Sequence, residues 1–190
     1  AAGGGRGYPW VVVAAGASLD DNLDALGQLR DRAFLIACDT ALRPLLAAGI
    51  EPHLVVGVDP GEANARHLRD LPEMATTHLV AEASLDPSAL AAFRGRTFLF
   101  SVSDHQPWPW LRKHGAGRGT LRAWGSVLTS AFDLALEMGC DPIAFAGTDL
   151  SFTGYRPYAR GVAYEEDWRR LAAWGVPLEE QWRQQVDGWP

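Results

Sequence analysis

Lysine is almost missing from this chain: of 17 basic residues, only Lys113 is a lysine. A catalytic or phosphate-loop lysine therefore has one candidate, and the neighbours of Lys113 suit neither role. No G-x-x-x-x-G-K-[ST] pattern occurs, which excludes a P-loop. Cysteine is as scarce. Cys38 and Cys140 each sit in an apolar stretch and read as buried free thiols. Long apolar runs are also lacking: Trp10–Ala15 and Ala33–Cys38 are among the longest and are far too short to span a bilayer. No basic stretch followed by an apolar core opens the chain as a secretory leader would, so a cytoplasmic setting is expected. The net charge of −6 argues against a nucleic-acid-binding surface.

What is present is ordinary in amount and ordered in arrangement. The chain has 190 residues, 47% of them hydrophobic and 21% charged, which suits one domain with a sizeable core. It starts at Ala1-Ala2-Gly3-Gly4-Gly5 without Met and stops at Asp187-Gly188-Trp189-Pro190, so it reads as a piece of a longer protein. Short apolar runs alternate with helical patterns. Trp10–Ala15, Ala33–Cys38, Leu54–Val58, His78–Ala83, Thr97–Val102 and Pro142–Ala146 read as six strands. Leu19, Leu23, Leu26 and Leu29 form a helical stripe with acids on the other face. Thr40–Ala48 reads as a short helix ended by Gly49, Gly61–Leu71 as a polar helix, and Pro87–Phe93 as a helical turn. Gly125–Met138 carries the strongest helical pattern, with Gly139 placed to end it; Glu165–Trp174 and Glu179–Val186 read as closing helices. Ser103–Arg122, with its Pro and Trp residues, reads as one long loop over the strand ends, a mobile lid in which Trp108 and Trp110 either stack on a base or sugar or pack on the protein surface.

Strands alternating with helices imply βαβ units, hence a mostly parallel sheet with helices on both faces in a doubly wound order. The runs are apolar throughout, as in strands covered on both faces. Ligands of such sheets bind beyond the carboxyl ends of the strands, so the residues that follow each strand are the candidates. After the first come Gly16-Ala17-Ser18, where Gly16 admits close backbone approach and Ser18 caps a helix, with Asp21 as capping-box partner; the free N–H groups there are an anion site. Asp39-Thr40 follows the second strand, an acid for a ribose hydroxyl or a helix cap. Asp59 follows the third, with Asn64 and His67 three apart on one helix face. Glu82 follows the fourth strand, Gly125-Ser126 opens the long helix, and Gly147-Thr148-Asp149 follows the last strand. Polar residues at so many successive strand ends point to a small-molecule site.

The ordered set of segments resembles the family of motility accessory factors (Maf proteins) and MptE-like 6-hydroxymethylpterin diphosphokinases. The matching pieces are Ala15-Gly16-Ala17-Ser18-Leu19-Asp20, Ala37-Cys38-Asp39-Thr40-Ala41-Leu42, Ala48-Gly49-Ile50-Glu51-Pro52, Val58-Asp59-Pro60 with Asn64 and His67, Gly125-Ser126-Val127, and Gly139-Cys140-Asp141-Pro142 through Gly147-Thr148-Asp149 to Gly154. The resemblance implies a Rossmann-like three-layer α/β fold: a flexible start over 1–9, a nucleotide-binding unit over 10–164, and closing helices over 165–190 that lead toward a flanking region. It implies one of two activities. Maf-type members transfer a nonulosonic acid from a CMP-sugar to Ser or Thr of flagellin or another surface acceptor. MptE-type members transfer pyrophosphate from ATP, with Mg²⁺, to a hydroxymethyl pterin.

The sequence departs from the family pattern at Ala17, Trp124 and Thr148. Most telling is the third strand end, where diphosphokinases of this kind carry two acids one residue apart; Gly57 stands in place of the first, and Asp59 alone remains. The expectation is therefore a Maf-type glycosyltransferase with no tightly bound cofactor. The nucleotide phosphate would lie on Gly16, Ser18 and Ser126, and ribose or sugar hydroxyls on Asp39 and Asp59, with Thr40, Asn64, His67 and Gly125 completing the nucleotide site. Asp149 would orient donor or acceptor, and Tyr158 and Arg160 would assist the departing phosphate. The competing expectation is a diphosphokinase with Asp59 and Asp149 as metal ligands, joined by Glu62 or Asp39. A third is a nucleotide-binding module without catalysis.

Overall fold

A computed structural model describes residues 6–102, 106–115, 117, 119–122 and 125–188. Seven strands form one sheet: β1 (Arg6–Val13), β2 (Phe34–Cys38), β3 (Leu54–Gly57), β4 (His78–Glu82), β5 (Thr97–Val102), β6 (Gly119–Leu121) and β7 (Asp141–Ala146). Every pairing is parallel, and the spatial order is β6-β5-β4-β3-β2-β1-β7. The helices are α1 (Leu19–Leu29), α2 (Asp39–Ala47), α3 (Pro87–Ala92), α4 (Trp108–Lys113), α5 (Val127–Glu137), α6 (Glu165–Ala173) and α7 (Leu178–Asp187). The expected three-layer fold with a parallel sheet is the one observed.

The winding of the chain positions the cleft. From β1 to β6 it steps outward one strand at a time, then crosses back to lay β7 beside β1. Right-handed crossovers in one direction put their helices on one face, and a crossover in the reverse direction puts its helix on the other. Accordingly Val11, Val13, Leu35 and Ala37 pack under Leu19, Leu26, Ala41 and Leu45 of α1 and α2, whereas Val12, Ile36 and Val56 pack under Ala131 and Ala135 of α5. Two alanines let α5 lie close against β1, β2 and β3. Burying Leu19 and Leu26 contributes about 1.5–3 kcal/mol each. The helix α5 ends as its sequence predicts. Gly139 takes φ +73° and Cys140 N–H returns to Ala135 O at 3.0 Å. Both cysteines are buried and free.

Three expectations change. Ser103–Arg122 is not one loop: α4 and the edge strand β6 lie within it. Arg122 N–H and its guanidinium bond the buried carboxylate of Asp133 on α5, each at 2.8 Å, and pin the end of β6. The polar helix over Gly61–Leu71 contracts to a 3₁₀ turn over Glu62–His67. The first strand begins at Arg6, inside the stretch 1–9 expected as a flexible start. Residues 1–5, 103–105, 116, 118, 123–124 and 189–190 lie outside the described residues, and with them Trp124 and part of the expected lid.

Candidate functional site

A cleft of about 880 Å³ opens along the carboxyl edge of the sheet, where the chain reverses between β1 and β7. Gly16, Asp39, Asp59, Glu82 and Asp149 reach it from the ends of β1, β2, β3, β4 and β7, and Gly125 and Ser126 from the start of α5. A parallel sheet delivers all its strand ends to one edge, which is why residues as far apart in sequence as Gly16 and Asp149 meet here.

The start of α1 differs from its sequence reading. Ser18 makes no side-chain cap. Its N–H donates to Asp149 Oδ2 at 2.9 Å and its hydroxyl donates to Asp149 Oδ1. The carboxylate of Asp149 thus fills the anion site that the sequence offered to a phosphate, and Ser18 does not line the cleft. Gly16 lines the cleft, and protein packing also requires it to be glycine. Its N–H donates to Gly147 O at 2.8 Å, and a Cβ there would stand 2.6 Å from that same oxygen and 2.8 Å from Asp149 Cγ.

The start of α2 is also filled from within. Asp39 Oδ1 accepts from Thr40 N–H at 2.7 Å and from the Thr40 hydroxyl at 3.2 Å. Asp39 is 3% exposed, and burial lifts its carboxyl to about 6, with the nearby Asp59 adding to the rise. Asp59 Oδ1 accepts from Gly61 N–H at 2.9 Å in an Asx turn. Asn64 and His67 are brought together, but through a residue the sequence reading left out. The Tyr164 hydroxyl donates to Asn64 Oδ1 at 3.0 Å and stands 3.2 Å from His67 Nε2. A hydroxyl that donates to Asn64 accepts from His67, so Nε2 carries the proton. His67 Nδ1 is then a buried acceptor with no partner. Burial, with the Arg66 and Arg43 charges, lowers His67 to about 4, so it is neutral at pH 7. Tyr158 stacks on Tyr164 at 5.3 Å and lines the same wall. Burial, with Asp39 nearby, raises its hydroxyl above the usual range.

Of the helices of nine or more residues that begin at the cleft, α5 alone starts without a carboxylate on its first turn. Its cap is the Ser126 hydroxyl, which accepts from Leu128 N–H at 3.3 Å. Trp108 joins the cleft wall, whereas Trp110 is 58% exposed and packs on His114. Arg160 lies outside the cleft: its side chain is 84% exposed and leans toward Asp20. No lysine or arginine occurs among the described lining residues. A Mg²⁺ site fits the donor set poorly. Each oxygen of Asp149 already accepts from Ser18, Gly57 offers no carboxylate, and no group of three or more His, Cys, Asp or Glu among the described residues is arranged to hold a metal ion.

Fold and cleft together define a Rossmann-like α/β protein with a cavity of mixed polar and apolar lining at the carboxyl edge of a parallel sheet. The chain belongs to the family described as 6-hydroxymethylpterin diphosphokinase MptE-like, whose model matches residues 3–155. Among solved structures it is similar to the Maf glycosyltransferase from Magnetospirillum magneticum AMB-1, at 23% identity and a TM-score of 0.65. That likeness covers 78% of this chain and 24% of the other, so this chain spans about a quarter of that protein. None of the curated proteins compared with the chain matches it. No helix among the described residues is long and apolar enough to cross a membrane.

Proposed function

We propose that this chain is the nucleotide-binding transferase unit of a Maf-type glycosyltransferase, taking a CMP-activated nonulosonic acid as donor and a hydroxyl of flagellin or another surface protein as acceptor. One observation carries the reading: the chain's own carboxylates occupy the starts of α1 and α2, and the start of α5 remains for a single phosphate. A triphosphate brings more charge than one helix start offsets, and its Mg²⁺ would need acids that Gly57 and the engaged Asp149 do not supply. The sugar and ribose hydroxyls fall to Asp59, whose Oδ2 has no partner among the described residues, and to the Asn64–Tyr164–His67 group. In the transfer the C–O bond from sugar to phosphate breaks and its electron pair leaves with CMP. The acceptor oxygen bonds the sugar carbon and gives up its proton. Asp39, held near 6, is ionised at pH 7 and is the base for that proton. Stabilising the departing phosphate is the main electrostatic task.

The family's own description favours a second reading, a diphosphokinase acting on a pterin. A thermal-shift panel of CMP, UDP, GDP, ATP and 6-hydroxymethylpterin, each with Mg²⁺ and with EDTA, separates the two. A ligand at a hundred times its Kd adds about 2.7 kcal/mol, or roughly 5–10 °C for a domain of this size. The glycosyltransferase reading expects CMP to shift the midpoint in EDTA. A shift confined to ATP with Mg²⁺, or to the pterin, would overturn it.

A further inference from the structure

Glu82 is the last residue of β4 and is 3% exposed. Its Oε2 is occupied: it accepts from Ser84 N–H at 2.6 Å and from the Ser84 hydroxyl. Its Oε1 is buried and has no partner. Buried carboxylate oxygens are rarely left so, because an unmet acceptor forfeits the hydrogen bonds it made to water. No hydrogen-bond partner for it occurs among the described residues. Glu82 lines the cleft beside Cys38, Val58, Val102, Val127 and Leu128, all apolar and all part of the core layer beneath α5. The cleft thus has two unlike halves. On the α1–α2 side stand Asp39, Asn64, His67 and the two tyrosines; on the α5 side is an apolar slot with one carboxylate oxygen in its wall, next to the start of α5.

An apolar slot suits a flat ring, and a lone acceptor in its wall selects a ring that carries a donor. We propose that Glu82 Oε1 accepts a hydrogen bond from an amino group on the ligand's heterocycle, so that the cleft prefers amino-bearing rings over their oxo counterparts. The proposal rests on the cleft being a nucleotide site with its phosphate at α5. For a cytidine nucleotide the donor is the 4-amino group; uridine presents a carbonyl oxygen at that position, acceptor against acceptor. A pterin would offer its 2-amino group to the same oxygen.

The test is a matched pair of titrations by calorimetry, CMP against UMP and 6-hydroxymethylpterin against its 2,4-dioxo counterpart, on the wild type and on Glu82→Gln. The wild type is expected to bind the amino member of a pair at least about 10-fold more tightly. In Glu82→Gln the amide oxygen stays on Ser84 N–H, because that donor needs an acceptor. The amide NH₂ then takes the place of Oε1, and the preference reverses toward the oxo member. A residue with a purely structural role would weaken both members alike. Glu82→Ala, a second variant, is expected to bring the ratio near one. CMP and UMP binding with equal affinity to the wild type would overturn the Glu82 proposal and leave the glycosyltransferase reading standing. Selective binding of the pterin without CMP would keep Glu82 and overturn that reading. Binding of none of the four overturns both.

Discussion

Replacing Asp149 by alanine separates a structural clasp from a ligand-binding acid. The carboxylate receives Ser18 N–H at 2.9 Å and the Ser18 hydroxyl, across 131 positions of sequence, at the positive end of α1. Hydrogen bonds to a charged group contribute about 1.5–3 kcal/mol each when desolvated, and a charge at a helix start about 0.3–1 kcal/mol. Asp149 is half-buried, so water replaces part of what is removed, and the net loss is about 2–4 kcal/mol. At roughly 2–4 °C per kcal/mol for a chain of this length, the unfolding midpoint falls by about 4–16 °C. Differential scanning calorimetry of Asp149→Ala measures it. Asp149→Asn should lose less, since one amide oxygen still accepts from Ser18. A midpoint unchanged within about 1 °C, together with lost ligand binding, would refute the clasp and return Asp149 to the role of a ligand-facing acid.

Gly16→Ala should cost about 2–3 kcal/mol in urea unfolding, because its Cβ meets the Gly147 carbonyl at 2.6 Å; a neutral effect would mean the β1–β7 edge opens freely. Asp39 gives a pH signature. Its folded-state value of about 6 lies above the ordinary 3.8, so the folded protein holds this proton more tightly, and ionisation destabilises the fold as pH rises from about 4 to 6. Asp39→Asn should therefore gain stability over the wild type across that window, by about 3 kcal/mol at pH 7. The difference between the two proteins is the quantity to plot, because His67, lowered to about 4, imposes the opposite slope as pH falls through 6.5. A difference that stays flat with pH would contradict the burial argument. Gly57→Asp restores the missing acid: its Cβ has room, 3.5 Å from Leu85, and faces Asp39 Oδ2 at 3.6 Å. It should lower the midpoint at pH 8 and make it rise again with millimolar Mg²⁺; indifference to Mg²⁺ would show that the acid pair is not what a metal needs here.

Much of this architecture is visible from residue order because buried parallel strands write themselves as apolar runs, and the runs at 10–15, 33–38, 54–58, 78–83, 97–102 and 142–146 all form strands. β6 is not visible in this way. Gly119–Leu121 has three residues and no pattern of its own; what holds its end is Asp133, on a helix that follows. The same limit applies to the cleft. Strand-end acids announce themselves, but their partners do not. Ser18 reads locally as a cap, and only the fold brings Asp149 to it. Asn64 and His67 read as neighbours on one helix face, and the hydroxyl that joins them belongs to Tyr164, 100 and 97 positions on. Tyr158 and Tyr164, stacked beside the cleft, are the sequence signal for that wall. Glu82 stands plainly at its strand end, but its unmet oxygen is a property of packing alone.

The proposed occupant of this cleft is a nucleoside monophosphate, its phosphate at the start of α5, its hydroxyls on Asp59 and no metal ion beside it. Calorimetric titration of CMP in EDTA, into the wild type and into Asp59→Asn, tests it most directly. The amide oxygen of that variant can still accept from Gly61 N–H, so the turn survives the substitution. CMP is expected to bind the wild type in EDTA, and Asp59→Asn to lose about 10-fold or more in affinity at an unchanged unfolding midpoint. No heat with CMP, and binding that appears only with ATP and Mg²⁺, would contradict it.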